Sequence, residues 1–187
     1  GAPGKIGGGT IWFLTLTSTL GVANAVELDT SDLSLSNGDR FGEAVTILTN
    51  SSAGADYDGD LETLDIVVSA PAAMTDSDIR QGALYIICLY PSTGKISSFY
   101  RLADFSNFVS TPIGSGDRLG QGLAALGITD DRYNSPVFMM GMSGFSASTN
   151  FNTNRAGGIL AVQLKDPPMP TAYPTSSAPR PTFPPTT

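Results

Sequence analysis

Two pentapeptides 78 positions apart constrain this chain more than any other feature. Gly38-Asp39-Arg40-Phe41-Gly42 lies within "NGDRFGEAVTIL", and Gly116-Asp117-Arg118-Leu119-Gly120 within "SGDRLGQGLAAL". Other elements recur with them. "GGGTIWFLTL" from Gly7, "QGALYIICLY" from Gln81 and "AGGILAVQLK" from Ala156 are glycine-led apolar runs that start about 75 residues apart. A short small-residue element precedes each run: "GAP" at Gly1, "SAP" at Ser69 and "GMS" at Gly141. Self-similarity at a fixed period means one supersecondary unit stacked on copies of itself, because a single unit cannot bury its apolar face alone. No run carries convincing helical periodicity, and turn residues recur every 8 to 15 positions. The expected fold class is therefore all-β. Four short strands per unit is the signature of a β-propeller blade. The spacing predicts a partial blade over 1–36 and two complete blades over 37–114 and 115–165.

From Asp166 onward the character changes. "DPPMPTAYPTSSAPRPTFPPTT" (166–187) holds eight of the thirteen prolines. Proline lacks an amide donor and fixes φ, so this tail cannot enter a sheet interior. Extended chain or polyproline II is expected, with Ser, Thr and Pro available for O-glycosylation or hydroxyproline-type modification, or else a plain linker.

Charge and composition exclude several function classes. Net charge is −7 without a Lys/Arg cluster, so the basic footprint of a nucleic-acid binder is missing. The chain has no His, which removes the commonest general base and transition-metal ligand, and with it Ser-His-Asp and Cys-His catalysis. No separated pair of carboxylates is marked by a motif, and the chain reads as non-enzymatic. Cys88 is the single cysteine; it lies in "LYIICLY" and reads as a buried inert thiol. Residues 5–25 imitate a secretory leader, ending at Ala23 and Ala25. Thr15, Thr17 and Thr19, at alternate positions, read instead as β-strand. No segment has the length of a membrane-crossing helix.

"GADYDGDLETLDIVVSAP" (54–71) places Asp56, Asp58 and Asp60 at alternate positions, where their charges repel. A tight loop turns them toward one point, and a hard cation relieves the repulsion, since Ca2+ takes six to eight oxygen ligands. Asp65 closes the set. The loop is not an EF-hand: Leu61 stands where that motif needs glycine, and Val67 where it needs glutamate.

The stretch "FGEAVTILTNSSAGADYDGDLETLDIVVSAP" resembles an FG-GAP repeat, the blade motif of integrin-α-type β-propellers. Phe41-Gly42 is similar to the FG element, Ser69-Ala70-Pro71 and Gly1-Ala2-Pro3 to GAP, and "QGALYII" to the glycine-led strand. The resemblance spans residues 1–165 and implies Ca2+ as cofactor. It also implies Asp56, Asp58, Asp60 and Asp65 as side-chain ligands, with a backbone carbonyl near Glu62. "LETL" makes the loop one residue longer than the family's usual loop, so either Asp65 or Glu62 reaches the ion. The corresponding loop of the next unit holds adjacent Asp130 and Asp131, which point opposite ways in extended chain, and Arg132; no Ca2+ is expected there.

Asn50-Ser51-Ser52 is the single N-glycosylation sequon. The two Gly-Asp-Arg tripeptides read as structural turns, with Asp capping backbone amides and Arg pairing nearby. "SPVFMMGMSGF" reads as core packing in an innermost strand, and Tyr57, Tyr133 and Phe151 are the aromatics a glycan-binding surface would use. Two blades and a fraction leave strand edges open, and open edges pair with other chains. The sequence thus predicts an extracellular or cell-surface structural or adhesion glycoprotein. It assembles with other copies or blades into a larger structure or fibre, without membrane insertion or nucleic acid. The alternative is a ligand-binding fragment of an integrin-like receptor, taking extracellular protein or glycan ligands.

Overall fold

The computed structural model describes residues 8–48, 62–74, 79–103, 113–128, 136–145 and 157–164. Within these the chain is all-β. Its strands are β1 (Trp12–Leu16), β2 (Val22–Glu27), β3 (Val45–Ile47), β4 (Leu64–Ala70), β5 (Ala83–Tyr90), β6 (Lys95–Leu102), β7 (Leu119–Ile128), β8 (Pro136–Met142) and β9 (Gly158–Gln163). One 3-10 turn, Ser31–Leu33, follows β2. The strands form three antiparallel sheets in chain order: β1-β2, β3-β4-β5-β6 and β7-β8-β9.

The middle sheet is sandwiched by the other two, and its composition follows from that position. A strand covered on one face alternates apolar and polar residues; a strand covered on both faces becomes a continuous apolar run. β4 and β5, "LDIVVSA" and "ALYIICLY", are buried at nearly every position. Ile66, Val68, Tyr85, Ile87 and Leu89 join Leu28, Leu33 and Phe41 in one core, with Ile11 and Phe13 of the first sheet packed against it. Val67, Leu84 and Ile86 point the other way, into a second core with Leu119, Phe138, Met140 and Met142 of the third sheet. Each large aliphatic side chain so buried contributes about 1.5–3 kcal/mol relative to exposure. That exceeds the roughly 1 kcal/mol over which strand propensity ranges.

The all-β expectation is met, but the strand count per unit is not uniform. The unit read as a complete blade over 37–114 is four-stranded. The one read over 115–165 has three strands among the described residues, and the first unit has two. Within the described residues no sheet closes into a barrel, and the propeller remains a finer reading of these open sheets. Met139, Met140 and Met142 lie in β8, the middle strand of its sheet, and Met140 and Met142 are buried in the core against the preceding sheet, as their composition implied. Ala125 N–H of β7 donates to Thr46 Oγ1 of β3 at 3.0 Å, tying those first strands together. The alternating threonines lie partly in β1, and Thr17 to Gly21 form the turn into β2, where Thr17 N–H donates to the Gly21 carbonyl at 2.7 Å. The Pro-rich tail 166–187 lies outside the described residues.

Candidate functional site

The acidic loop is described only at its outgoing end. Asp56, Asp58, Asp60 and Asn50 lie outside the described residues, as do Asp130, Asp131, Arg132, Tyr57, Tyr133 and Phe151. Glu62 is exposed just before β4. Asp65, by contrast, is 0% exposed on β4, opposite Cys88 of β5. Thr63 Oγ1 donates to Asp65 Oδ1 at 3.4 Å, and the Asp65 carbonyl accepts the Leu48 N–H at 2.9 Å. A buried carboxylate is costly unless charge or hydrogen bonds compensate it. Asp65 takes part in a further polar interaction within the protein, whereas the Glu62 side chain is exposed. Among the described residues no group of three or more His, Cys, Asp or Glu is placed to hold a metal. Cys88 is buried, as the apolar run implied.

The Gly-Asp-Arg turns are the best-defined repeated geometry in the molecule. Asp39 Oδ2 accepts the Ser36 N–H at 2.8 Å, and Asp117 Oδ2 accepts the Gly114 N–H at 2.6 Å. The Asp39 carbonyl accepts the Ala72 N–H at 3.1 Å, and the Asp117 carbonyl accepts the Gly144 N–H at 3.2 Å. These contacts hold each turn to its own sheet. A further contact holds it to the preceding sheet: Phe41 N–H donates to the Gly8 carbonyl at 2.7 Å, and Leu119 N–H to the Gln81 carbonyl at 2.9 Å. The capping role expected of the aspartates is therefore present at both sites.

The arginines play a part the sequence reading missed. Arg40 and Arg118 adopt left-handed backbone, with φ of 63° and 56°. Non-glycine residues seldom do so, and the strain is tolerated where surrounding bonds over-determine the turn. The pairing expected of Arg40 is present, Nε to Glu43 Oε2 at 2.8 Å. Arg40 is half exposed, so that pair contributes about 0–1 kcal/mol. The signal for the backbone role was the recurrence of a long residue between two glycines.

The receiving surface for each turn is a notch built on a left-handed glycine. Gly9 has φ +98° and Gly82 φ +100°. A Cβ on Gly9 would stand 2.9 Å from the Phe41 N and C, and one on Gly82 would stand 2.7 Å from the Leu119 carbonyl oxygen. Only glycine allows so close a backbone approach. The last residue of the turn seats beside the second residue after each notch glycine. A Cβ on Gly42 would lie 3.3 Å from Ile11, and one on Gly120 would lie 2.7 Å from Leu84 and 2.8 Å from Ser69.

The outer faces of the first and third sheets expose several apolar side chains, although Val137 on the outer face of the third is buried. On β1, Trp12, Leu14 and Leu16 are 48%, 56% and 51% exposed, and on β9 Ile159 is 74% exposed. Counted from the notch glycines, Trp12, Leu14 and Leu16 hold the register of Tyr85, Ile87 and Leu89. Ile159 and Ala161 hold that of Ile11 and Phe13. Within the middle interface, Ile11 and Phe13 pack into the core that holds Tyr85, Ile87 and Leu89. Beneath that face Tyr85 also stacks edge-on to Phe41, centroids 5.3 Å apart, and accepts a hydrogen bond from Arg101 Nε at 3.2 Å.

Comparison with known proteins adds no identity: no family model, no curated protein and no solved structure matches this chain.

Proposed function

We propose that this is a non-catalytic extracellular structural or adhesion protein whose stacked sheets assemble, through apolar side chains exposed on their outer faces, into a larger structure. The observation that carries the reading is the register match just described. One end presents the kind of face that receives Ile11 and Phe13 inside the molecule; the other presents the kind that Ile11 and Phe13 belong to. Faces that differ in this way join head to tail, giving rings when the rotation closes and filaments when it does not. The FG-GAP resemblance and the propeller reading agree with such end-on addition of blades.

Ca2+ is the cofactor of this reading, held by Asp56, Asp58, Asp60 and Asp65, with Glu62 at the rim. It would neutralise the loop and the buried Asp65 carboxylate together. Sedimentation velocity over a wide concentration range, with Ca2+ and with chelator, tests the proposal. Concentration-dependent growth that Trp12→Lys and Ile159→Lys each abolish is the expected result. A monomer under every condition refutes assembly and leaves the receptor-fragment alternative.

A further inference from the structure

The joint between the second and third sheets shows what one sheet asks of the sheet that covers it. Ala44, Ser69 and Leu84 form a row across the middle sheet, with Ala44 N–H donating to Ser69 Oγ at 3.0 Å and Ser69 pairing with Leu84. The row faces the third sheet: a Cβ on Gly120 would lie 2.7 Å from Leu84 and 2.8 Å from Ser69, and Leu160 packs against the same core as Leu84. The third sheet repeats the row as Gly122, Gly141 and Ile159, paired in the same order. Glycine has replaced both Ala44 and Ser69, so two side chains are pared away. This part of the face is open. Ile159 is 74% exposed, and a cleft of about 630 Å3 is lined by Gly122, Gly141, Met142, Ser143, Gly158 and Ile159 among others, none of these charged. Met142 also belongs to the core between the second and third sheets, so the cleft continues an interface the protein already makes. Val137, buried on the same face, lies four positions away from Gly141 along β8.

The first sheet carries the opposite change. Trp12 holds the register of Leu160, each three positions after a left-handed glycine, Gly9 and Gly157. Trp12 is 48% exposed and points away from the core that Phe13 enters. Volume removed from the row on the third sheet is thus matched by volume added on the first, as close packing across a joint requires. We infer that the cleft is filled by the Trp12 indole of a second copy of this chain. An uncharged cleft suits a large, mostly apolar side chain, and tryptophan is a favoured anchor in such seats. The middle sheet separates Trp12 from the cleft within one copy, so the contact forms between copies: each cleft takes a neighbour's Trp12 and leaves its own for the next. The inference rests on the assembly reading and deepens it by naming the anchor and its seat.

Trp12 is the single tryptophan, so its emission reports this contact directly. As the full chain is concentrated, the emission is expected to shift to the blue in step with growth in sedimentation. Gly141→Leu fills the cleft, and a Cβ there would meet nothing nearer than the Gly122 nitrogen at 3.8 Å, so the sheet has room for it. Gly122→Leu, whose Cβ would meet nothing within 4 Å, repeats the test from the neighbouring strand. Each filler, and Trp12→Lys, should weaken self-association about tenfold or more, the cost of losing an aromatic anchor. Mixed together, Gly141→Leu and Trp12→Lys chains should form a 1:1 dimer that grows no further and whose emission is blue-shifted, since the first supplies the indole and the second the cleft. Growth of the wild type without a blue shift, growth of both fillers equal to the wild type, or no dimer from the mixture overturns the inference and leaves the assembly reading standing. A wild-type chain that never grows overturns both.

Discussion

Replacing Gly82 with alanine tests the claim that the sheets are joined by turns seated on left-handed glycines. Two costs arise. The first is conformational: alanine at φ +100° loses about 1–2 kcal/mol relative to glycine. The second is steric, because the new Cβ would stand 2.7 Å from the Leu119 carbonyl oxygen and 2.9 Å from its nitrogen, both backbone atoms that cannot swing aside. Relief requires the turn to lift. That weakens the Leu119 N–H bond to the Gln81 carbonyl, worth about 0.5–1.5 kcal/mol. It also loosens Leu119, which is wholly buried and contributes about 1.5–3 kcal/mol. The total is about 3–6.5 kcal/mol. Gly38→Ala is the control: its φ is +88°, but a Cβ there meets nothing within 4 Å, so only the conformational part, about 1–2 kcal/mol, is lost. Urea denaturation followed by far-UV circular dichroism measures both. Equal losses for the two variants would refute the seated-turn account.

Three further outcomes follow from the same geometry. Asp39→Ala and Asp117→Ala each strip a charged acceptor from a turn amide and should each cost about 1.5–3 kcal/mol in thermal or urea melts, by similar amounts at the two repeat positions. Burial pushes the Tyr85 phenol above its ordinary value, with Asp39 adding to the rise and the Arg101 hydrogen bond and charge working against it. A raised tyrosine favours the folded state while it stays neutral, so stability should fall as pH climbs past about 10, and Tyr85→Phe should flatten that alkaline limb in pH-dependent urea melts. Cys88 is 1% exposed, so a thiol reagent should label it only as fast as the chain unfolds; rapid labelling of the folded protein would contradict its burial between the sheets.

Much of the architecture was legible because its causes are local. The apolar runs of β4 and β5, the glycine before each, and the repeated Gly-Asp-Arg-x-Gly all reflect short-range demands on dihedrals and burial, and these leave fixed residue types at fixed spacing. The buried Cys88 and the capping aspartates were readable for the same reason. Other features depended on what lies across space. "SPVFMMGMSGF" has one composition whether it serves a first or a second strand, and pairing alone placed it in the middle of its sheet. Asp65 and Glu62 are both carboxylates beside one loop; the pleat of β4 buries the first, while the second stays in solvent. By itself the sequence determined the strand-forming unit, its period and its turns, since backbone preference and side-chain polarity act within a few residues. The tertiary structure alone decided that Trp12 and Ile159 remain open while Tyr85 and Leu84, in the corresponding registers, are buried. Burial there depends on whether a neighbouring sheet is present, and no residue carries that information in its own side chain.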